Sequence, residues 1–431
     1  MRKAGLLVAA VAWVLASPSI RGAEEVKAIT LKEARELALR RHPRITAAEL
    51  IALASREGTR EAQAAYFPQV FANLTAVGTS QENTRIGAGA LNNPAIFDRF
   101  SAGVTVSMLI TDFGRRMNLA DSSKFRELAE EKGADATREQ VLLELYSTYF
   151  STLQAQSLVG VAQQTVETRR LLAEQVTALA NNKLKSDLDV SFARVSQQEG
   201  ELLLARAQND LKAAFARLST LLGFRDSQSL QLVDEPMPEE SKEDLNQLIA
   251  EALEGRPDLA RLQYQYKAAD TYAQAEGKLN LPTISAVGTA GLIPVGDSAF
   301  DDEYAAAGVN VSIPLFTGFN YSARRAEADL RAKAAAEVLR DEENLIARDV
   351  RIAWQNVAYA RQRIALTNQL AEQATLALDL TQTRYNLGTS SIVDLSQAQL
   401  NKTSADIAKT NARYDYQIQR ALLDFQIGAM K

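Results

Sequence analysis

Two kinds of hydrophobic spacing divide this chain. Short stretches alternate strictly. Ala102, Val104, Val106 and Met108 fall on one face, with Ser101, Gly103, Thr105 and Ser107 on the other. The same alternation sets Ala305, Ala307, Val309, Val311 and Ile313 against Ala306, Gly308, Asn310 and Ser312. It also sets Val70, Ala72 and Leu74 against Gln69, Asn73 and Thr75. A period of two predicts β-strands with one apolar face and one small, polar face. After each strand pair, Gly114 or Gly318 opens a helical pattern that runs to near Asn181 or Leu387. Each pattern spans about 67 residues, on the order of 100 Å at 1.5 Å per residue. The second carries a heptad column of Val350, Val357, Ile364, Ala371, Leu378 and Tyr385. Beside it runs a column of small residues, Ala353, Ala360, Thr367, Ala374 and Thr381. A large column next to a small one predicts coiled-coil-like packing of closely approaching helices.

Each long helix ends at a reversal. The second, Arg384–Gln399, reads RYNLGTSSIVDLSQAQ. Gly388 is a natural left-handed stop for the first helix, and Thr389, Ser390 and Ser391 offer N-caps for the next. The first reversal, NNKLKSDLDVSFA, lacks the Gly, so Asn181 and Asn182 are expected to supply the left-handed turn. Asp187 and Asp189 are placed to cap the helix that follows. That returning helix, Leu184 to Leu222, has only about 39 residues, or roughly 60 Å. A helix before the first strand, Arg44 to Ala65, adds about 22 residues. Laid end to end, the two nearly match one long helix. Each half then supplies one continuous rod and one broken rod, with strands at one end and the reversal at the other.

The halves are copies. Pro43 matches Pro257 and Pro68 matches Pro282 at one common offset. Beyond the first strand a second constant offset, about nine residues shorter, pairs Val104–Ser107 with Val309–Ser312. It also pairs Tyr149 with Trp354, Asp189 with Asp394, and Leu222-Gly223 with Ile427-Gly428. The change of offset falls in the loops Thr79–Arg99 and Ile293–Tyr304, the second shorter and acidic. This predicts residues 24–228 as a first structural repeat, 229–244 as an acidic, Pro-containing linker, and 245–431 as a second repeat.

Composition narrows the class. With 46% of residues hydrophobic and 23% charged, disorder is excluded; aromatics at 6% favour long packed helices over one large core. Met1-Arg2-Lys3 before an apolar run from Ala4 to Ala16 predicts a signal peptide over residues 1–23. Its removal takes the net charge from −5 to roughly −8, which disfavours a nucleic-acid partner. Cysteine is absent, so thiol chemistry, disulfides and zinc–sulfur sites are excluded. The lone His42 precedes Pro43 at a helix end. With no second His, neither a metal site, a cofactor nor general-base catalysis is predicted, and no catalytic constellation or phosphate loop appears. The strands fit a soluble sandwich or a transmembrane barrel. About ten residues per strand and a polar inner face meet the barrel's requirements. Four strands cannot close a barrel, and open edges cannot face lipid, so several chains must share one.

At this point the chain resembles the TolC-like outer-membrane efflux protein family. The resemblance runs from Ile29 to Gly428 and is carried by EGRPDLA, VNVSIPLFTGF and YNLGTSSIVDLSQAQ, in that order. It implies an α+β fold: a homotrimeric outer-membrane β-barrel, four strands per chain, continued by a long periplasmic α-helical barrel. It implies an outer component of tripartite efflux pumps or type I secretion systems in a Gram-negative bacterium. Such a component works with a periplasmic adaptor (a membrane fusion protein) and an inner-membrane transporter, and is not an enzyme. The reversals become the periplasmic tip. Tyr385, Ser390, Asp394 and Gln397 are the candidate entrance or gate residues. Asn182, Lys183, Lys185, Asp187, Asp189, Leu387, Gly388 and Thr389 are the candidate adaptor-docking residues. Two of these depart from the family's pattern. Ser390 stands where a basic residue can latch onto the Tyr, and Gln397 where a second acid can narrow the entrance. Asp394 has two readings, a helix cap or a member of a three-fold carboxylate ring. The alternative to a channel is a soluble periplasmic coiled-coil scaffold or adaptor; no lipoyl-like β-domain is recognisable to support it.

Overall fold

Both long helical patterns form single helices, α3 (Arg115–Asn181) and α7 (Asn320–Asn386), each of 67 residues. The structure, a computed structural model, describes residues 28–78, 84–88, 91–96, 98–226, 230–237, 244–295 and 301–430. The expected leader, residues 1–23, lies outside the described residues. From the N-terminus come β1 (Ala28–Ile29), α1 (Leu31–Arg41), α2 (Pro43–Ala64), β2 (Gln69–Val77), β3 (Thr84–Ala88), β4 (Leu91–Ile96) and β5 (Arg99–Thr111), then α3. α4 (Asp187–Leu221) and β6 (Gln231–Leu232) close the first half. The second half holds α5 (Leu245–Gly255), α6 (Pro257–Gly277), β7 (Thr283–Val295), β8 (Glu303–Ser312), α7 and α8 (Ile392–Gln426).

The strands form one antiparallel sheet in the order β2-β5-β7-β8, with β2 and β8 as its edges. Each strand continues into its own helix: α2 into β2, β5 into α3, α6 into β7 and β8 into α7. The helices pack in the same order, α2 on α3, α3 on α6, and α6 on α7. Farther from the sheet, α4 pairs with α3, α8 pairs with α7, and α8 also packs on α3. The broken rods are therefore α2 above α4 and α6 above α8. No helix among the described residues is long and apolar enough to cross a membrane. The loop Thr79–Arg99 differs from expectation, since it contains the hairpin β3–β4; its Gly, Asn and Pro content hid the two short strands.

Joints hold the rods in line. Where strands become helices, Phe113 and Gly114, and Gly318 and Phe319, all have positive φ. Just below the sheet the buried Glu276 of α6 accepts from Arg115 of α3 at 3.0 Å and pairs with Arg324 of α7 at 2.8 Å, tying three helices together. At the breaks between α1 and α2, and between α5 and α6, Pro43 and Pro257 cannot donate to the preceding turn, so the helix restarts. The polar residue before each Pro is buried. His42 Nδ1 accepts from the Arg44 amide at 3.3 Å. Arg256 is held by Asp258 and donates to the Gln426 carbonyl. Gly223 lies against Arg41, and Gly428 against Gly255 and Arg256, so each break sits on the end of a returning helix. The largest core surrounds Tyr149, whose buried hydroxyl lies 2.9 Å from the Ile29 carbonyl and 2.7 Å from that of Val233. This pins the parallel pair β1–β6, and with it the described part of the expected linker, onto α3. Burial pushes that hydroxyl's pKa well above the usual phenol range.

Candidate functional site: the paired helix reversals

The end remote from the sheet carries both reversals, and they are built alike. In the second, Gly388 has φ 74°, the Gly388 amide donates to the Tyr385 carbonyl at 3.0 Å, and Thr389 N–H to that of Arg384 at 2.9 Å. In the first, the left-handed residue is Lys183, with φ 64°, while Asn182 has φ −89°. This corrects the expected role of Asn181 and Asn182. The repeat offset equates Lys183 with Gly388, and the same closing bonds form: Lys183 N–H to Ala180 at 2.9 Å and Leu184 N–H to Leu179 at 2.9 Å. Chain geometry won over residue preference. Asn182 instead donates its amide to the Ala178 carbonyl. The Thr389 hydroxyl returns to the Arg384 carbonyl.

Both following helices start with a capping box. Ser186 and Asp189 cap α4, and Ser391 and Asp394 cap α8. The N-caps are thus Ser186 and Ser391. Asp187 lies in the first turn, where its charge suits the helix dipole. Asp394 Oδ2 accepts from the Ser391 amide at 3.0 Å, the Ser391 hydroxyl at 2.8 Å and the Ser390 hydroxyl at 3.1 Å. Those bonds hold its pKa below the usual carboxylate value, as the Ser186 hydroxyl and amide do for Asp189. Gln397, one turn farther along, donates to Asn401 on its own helix.

Tyr385 joins the two reversals. It is only 2% exposed, packed among Leu172, Ala173 and Val176 of α3, Ala193 of α4, and Ile392 and Leu395 of α8. The Lys185 ammonium, from the first reversal, sits 4.1 Å from the centre of its ring. Burial, then the Asp189 charge, raises the phenol's pKa, and its hydroxyl has no hydrogen-bond partner. By the repeat offset Lys185 occupies the position of Ser390, so the cation missing from one reversal stands in the other. Sequence reading flagged Lys185 only as a basic tip; applying the offset to Ser390 would have found the pair. Around this node Leu184, Leu188, Leu387 and Val393 project into solvent at the tip.

Above the tip, α3 meets α8 through polar pairs. Thr165 faces Thr403 at 3.4 Å, Ser157 faces Tyr414 at 2.9 Å, and Gln154 donates to Asn411 at 2.8 Å. The buried Arg169 donates to the Ser196 carbonyl at 2.9 Å. The sequence periodicity did not reveal this seam, because its members are isolated polar residues on long helices. Among the described residues no group of acidic or His side chains could hold a metal ion.

The profile of the outer membrane efflux protein family matches residues 34–224 and 248–429. The outer membrane protein TolC of Vibrio cholerae is 25% identical over 390 residues, covering 88% of this chain and 85% of that protein. The pyoverdine export outer membrane protein OpmQ of Pseudomonas aeruginosa is 26% identical over 343 residues, covering 76% and 69%. Among solved structures, the outer membrane protein VceC of Vibrio cholerae superposes with a TM-score of 0.80 at 18% identity over 92% of this chain and 96% of that one. The open MtrE channel of Neisseria gonorrhoeae gives 0.76 at 19% identity, over 93% and 89%.

Proposed function

The chain belongs to the outer membrane efflux protein family, and from that premise we propose that three copies share one barrel and one tunnel. The protein is an outer-membrane efflux channel. The observation that carries the trimer is the set of surfaces one chain leaves without a partner. The strands β2 and β8 are open edges, and open edges are excluded from hydrocarbon. Three four-stranded sheets joined edge to edge give twelve strands. The helices agree. On α7 the apolar side chains Ile352, Tyr359, Leu366 and Leu380 of one heptad column are exposed, and on α4 so is the stripe Phe192, Val195 and Leu202. Apolar stripes on the first and last helices of the row fit one copy against the next.

In this reading the strands' apolar face, with Val104, Val106, Met108 and Ile110 exposed, meets lipid, and the opposite face lines water. The paired reversals lie about 100 Å away, at the periplasmic entrance. Their exposed Leu184, Leu188, Leu387 and Val393 dock a periplasmic adaptor, which links the channel to an inner-membrane transporter. Cargo moves through without chemistry. The Lys185–Tyr385 contact ties the two reversals of a copy and holds the entrance narrow.

The purified protein is expected to need detergent and to conduct ions in planar bilayers. Protein that stays soluble without detergent and conducts nothing would sink the reading in favour of a soluble scaffold. Replacing Lys185→Met removes the cation but keeps the stem. Single-channel conductance is then expected to rise; an unchanged value would place the constriction elsewhere.

A further inference from the structure

On the polar face of the sheet the one charged position in the paired register is Arg99, at the outer end of β5 opposite Val77. Following the register across the strands, that face holds Asn73 and Thr75 on β2, and Gly103, Thr105 and Ser107 on β5. It continues with Ser285, Thr289 and Gly291 on β7, and Tyr304, Gly308 and Asn310 on β8. Most are small; Phe71, opposite Thr105, is the large side chain of the inner half, and Val77 and Arg99 stand at the outer edge. Inside that edge, Tyr304 is the exception in the outer half. It stands at the start of β8, the end of the strand away from α7, and pairs with Gly291, which in turn pairs with Gly103.

The ring does not stand out from the wall. A methyl group added to Gly291 would lie 2.6 Å from the Tyr304 hydroxyl oxygen and 2.7 Å from Cζ. One added to Gly103, a strand farther on, would lie 3.3 Å from Cζ and would overlap the hydroxyl. The side chain therefore lies flat across three strands, in a recess that exists only because both neighbours lack a Cβ. Gly in a strand interior is destabilising relative to Ala, so two adjacent ones need a reason. The ring lying on both is one reason, and at Gly291 the close Ala102 carbonyl of β5 is another.

We infer that Tyr304, folded into the Gly103–Gly291 recess, sets the bore of the barrel's outer half. This rests on the barrel reading above. With the ring flat, the wall inside the Arg99 edge is uncharged and low, and cargo is sorted at the Tyr304 level by girth. With the recess filled, the ring must turn toward the axis. Three-fold symmetry repeats the intrusion three times around one ring, so a small change per copy closes much of the opening.

The absence of cysteine allows a direct test. Ser107→Cys places one thiol on the same face, below Tyr304, and Val106→Cys places one on the apolar face. The full-length protein in proteoliposomes is treated from the outer-mouth side with a small water-soluble thiol reagent and with a bulky polymer-linked maleimide. Ser107→Cys is expected to react with both. Adding Gly103→Ala is expected to slow the bulky reagent and leave the small one unaffected, and adding Tyr304→Ala as well is expected to restore the bulky rate. If Gly103→Ala leaves the bulky rate unchanged, the inference falls. If the slowing persists after Tyr304→Ala, the ring is not its cause and the inference also falls. If the small reagent labels Val106→Cys and not Ser107→Cys, the barrel reading itself is wrong.

Discussion

His42 shows how one duplicated position can serve two chemistries. Its Nδ1 is an acceptor for the Arg44 amide, a role that only the neutral ring can fill. Burial, and then the Arg44 charge, lower its pKa, against an opposing pull from Glu144. A depressed folded pKa means the unfolded chain binds the extra proton first as pH falls. The His42 contribution is thus fully present above about pH 6.5, the unfolded value, and is lost as pH falls from there through the lower folded value. The melting temperature in detergent is expected to drop between pH 7.5 and 5.5 by more in the wild type than in His42→Asn, which keeps an acceptor but does not titrate there. Equal drops would remove the cap from the account. The second repeat, with Arg256 at the corresponding joint, has no such dependence. Sequence reading set His42 aside as a catalytic or metal residue but did not foresee its cap on Arg44.

At the level of elements, the pattern of the chain displayed most of the architecture. Period-two strands, two rods of equal length and two broken rods all follow from spacing, because each element buries one long face and repeats that demand for many turns. What spacing did not display was local. The first reversal has the same backbone as the second although it lacks Gly, since the packed helices on both sides dictate where the chain must turn. That leaves Lys183 in a conformation that costs a side-chain-bearing residue about 1 kcal/mol. Lys183→Gly is expected to stabilise the first reversal by about 0.5 kcal/mol, and Gly388→Ala to weaken the second by about 1 kcal/mol. Hydrogen exchange at the Leu184 and Thr389 amides, which close the two turns, reads each change separately. Slower exchange at Thr389 in Gly388→Ala would contradict the assignment. The Lys185–Tyr385 contact and the polar seam between α3 and α8 were also hidden. Both depend on which helices become neighbours, and a single repeat does not say that.

For the whole molecule, the apolar stripe of α7 makes a quantitative demand. Its four exposed apolar side chains, Ile352, Tyr359, Leu366 and Leu380, would each lose on the order of 1 kcal/mol or more without a covering surface. Leu366→Glu with Leu380→Glu is expected to dissociate the proposed trimer, read as a monomer mass in detergent, while far-UV circular dichroism keeps its helical signal. A trimer that survives both charges would show that these positions face water. The four strand-to-helix junctions divide into two kinds. Pro68 and Pro282 lead from the broken rods into β2 and β7, whereas Phe113-Gly114 and Gly318-Phe319 lead out of β5 and β8 into the unbroken ones. The second kind places two successive residues at positive φ, a backbone path that the first kind does not use. An unbroken rod then behaves as a drive shaft with a universal joint at its upper end. In the proposed trimer, torque applied at the remote reversals would be spent in sliding α3 against α8 along their polar seam, and the sheet could stay round while the far end turns.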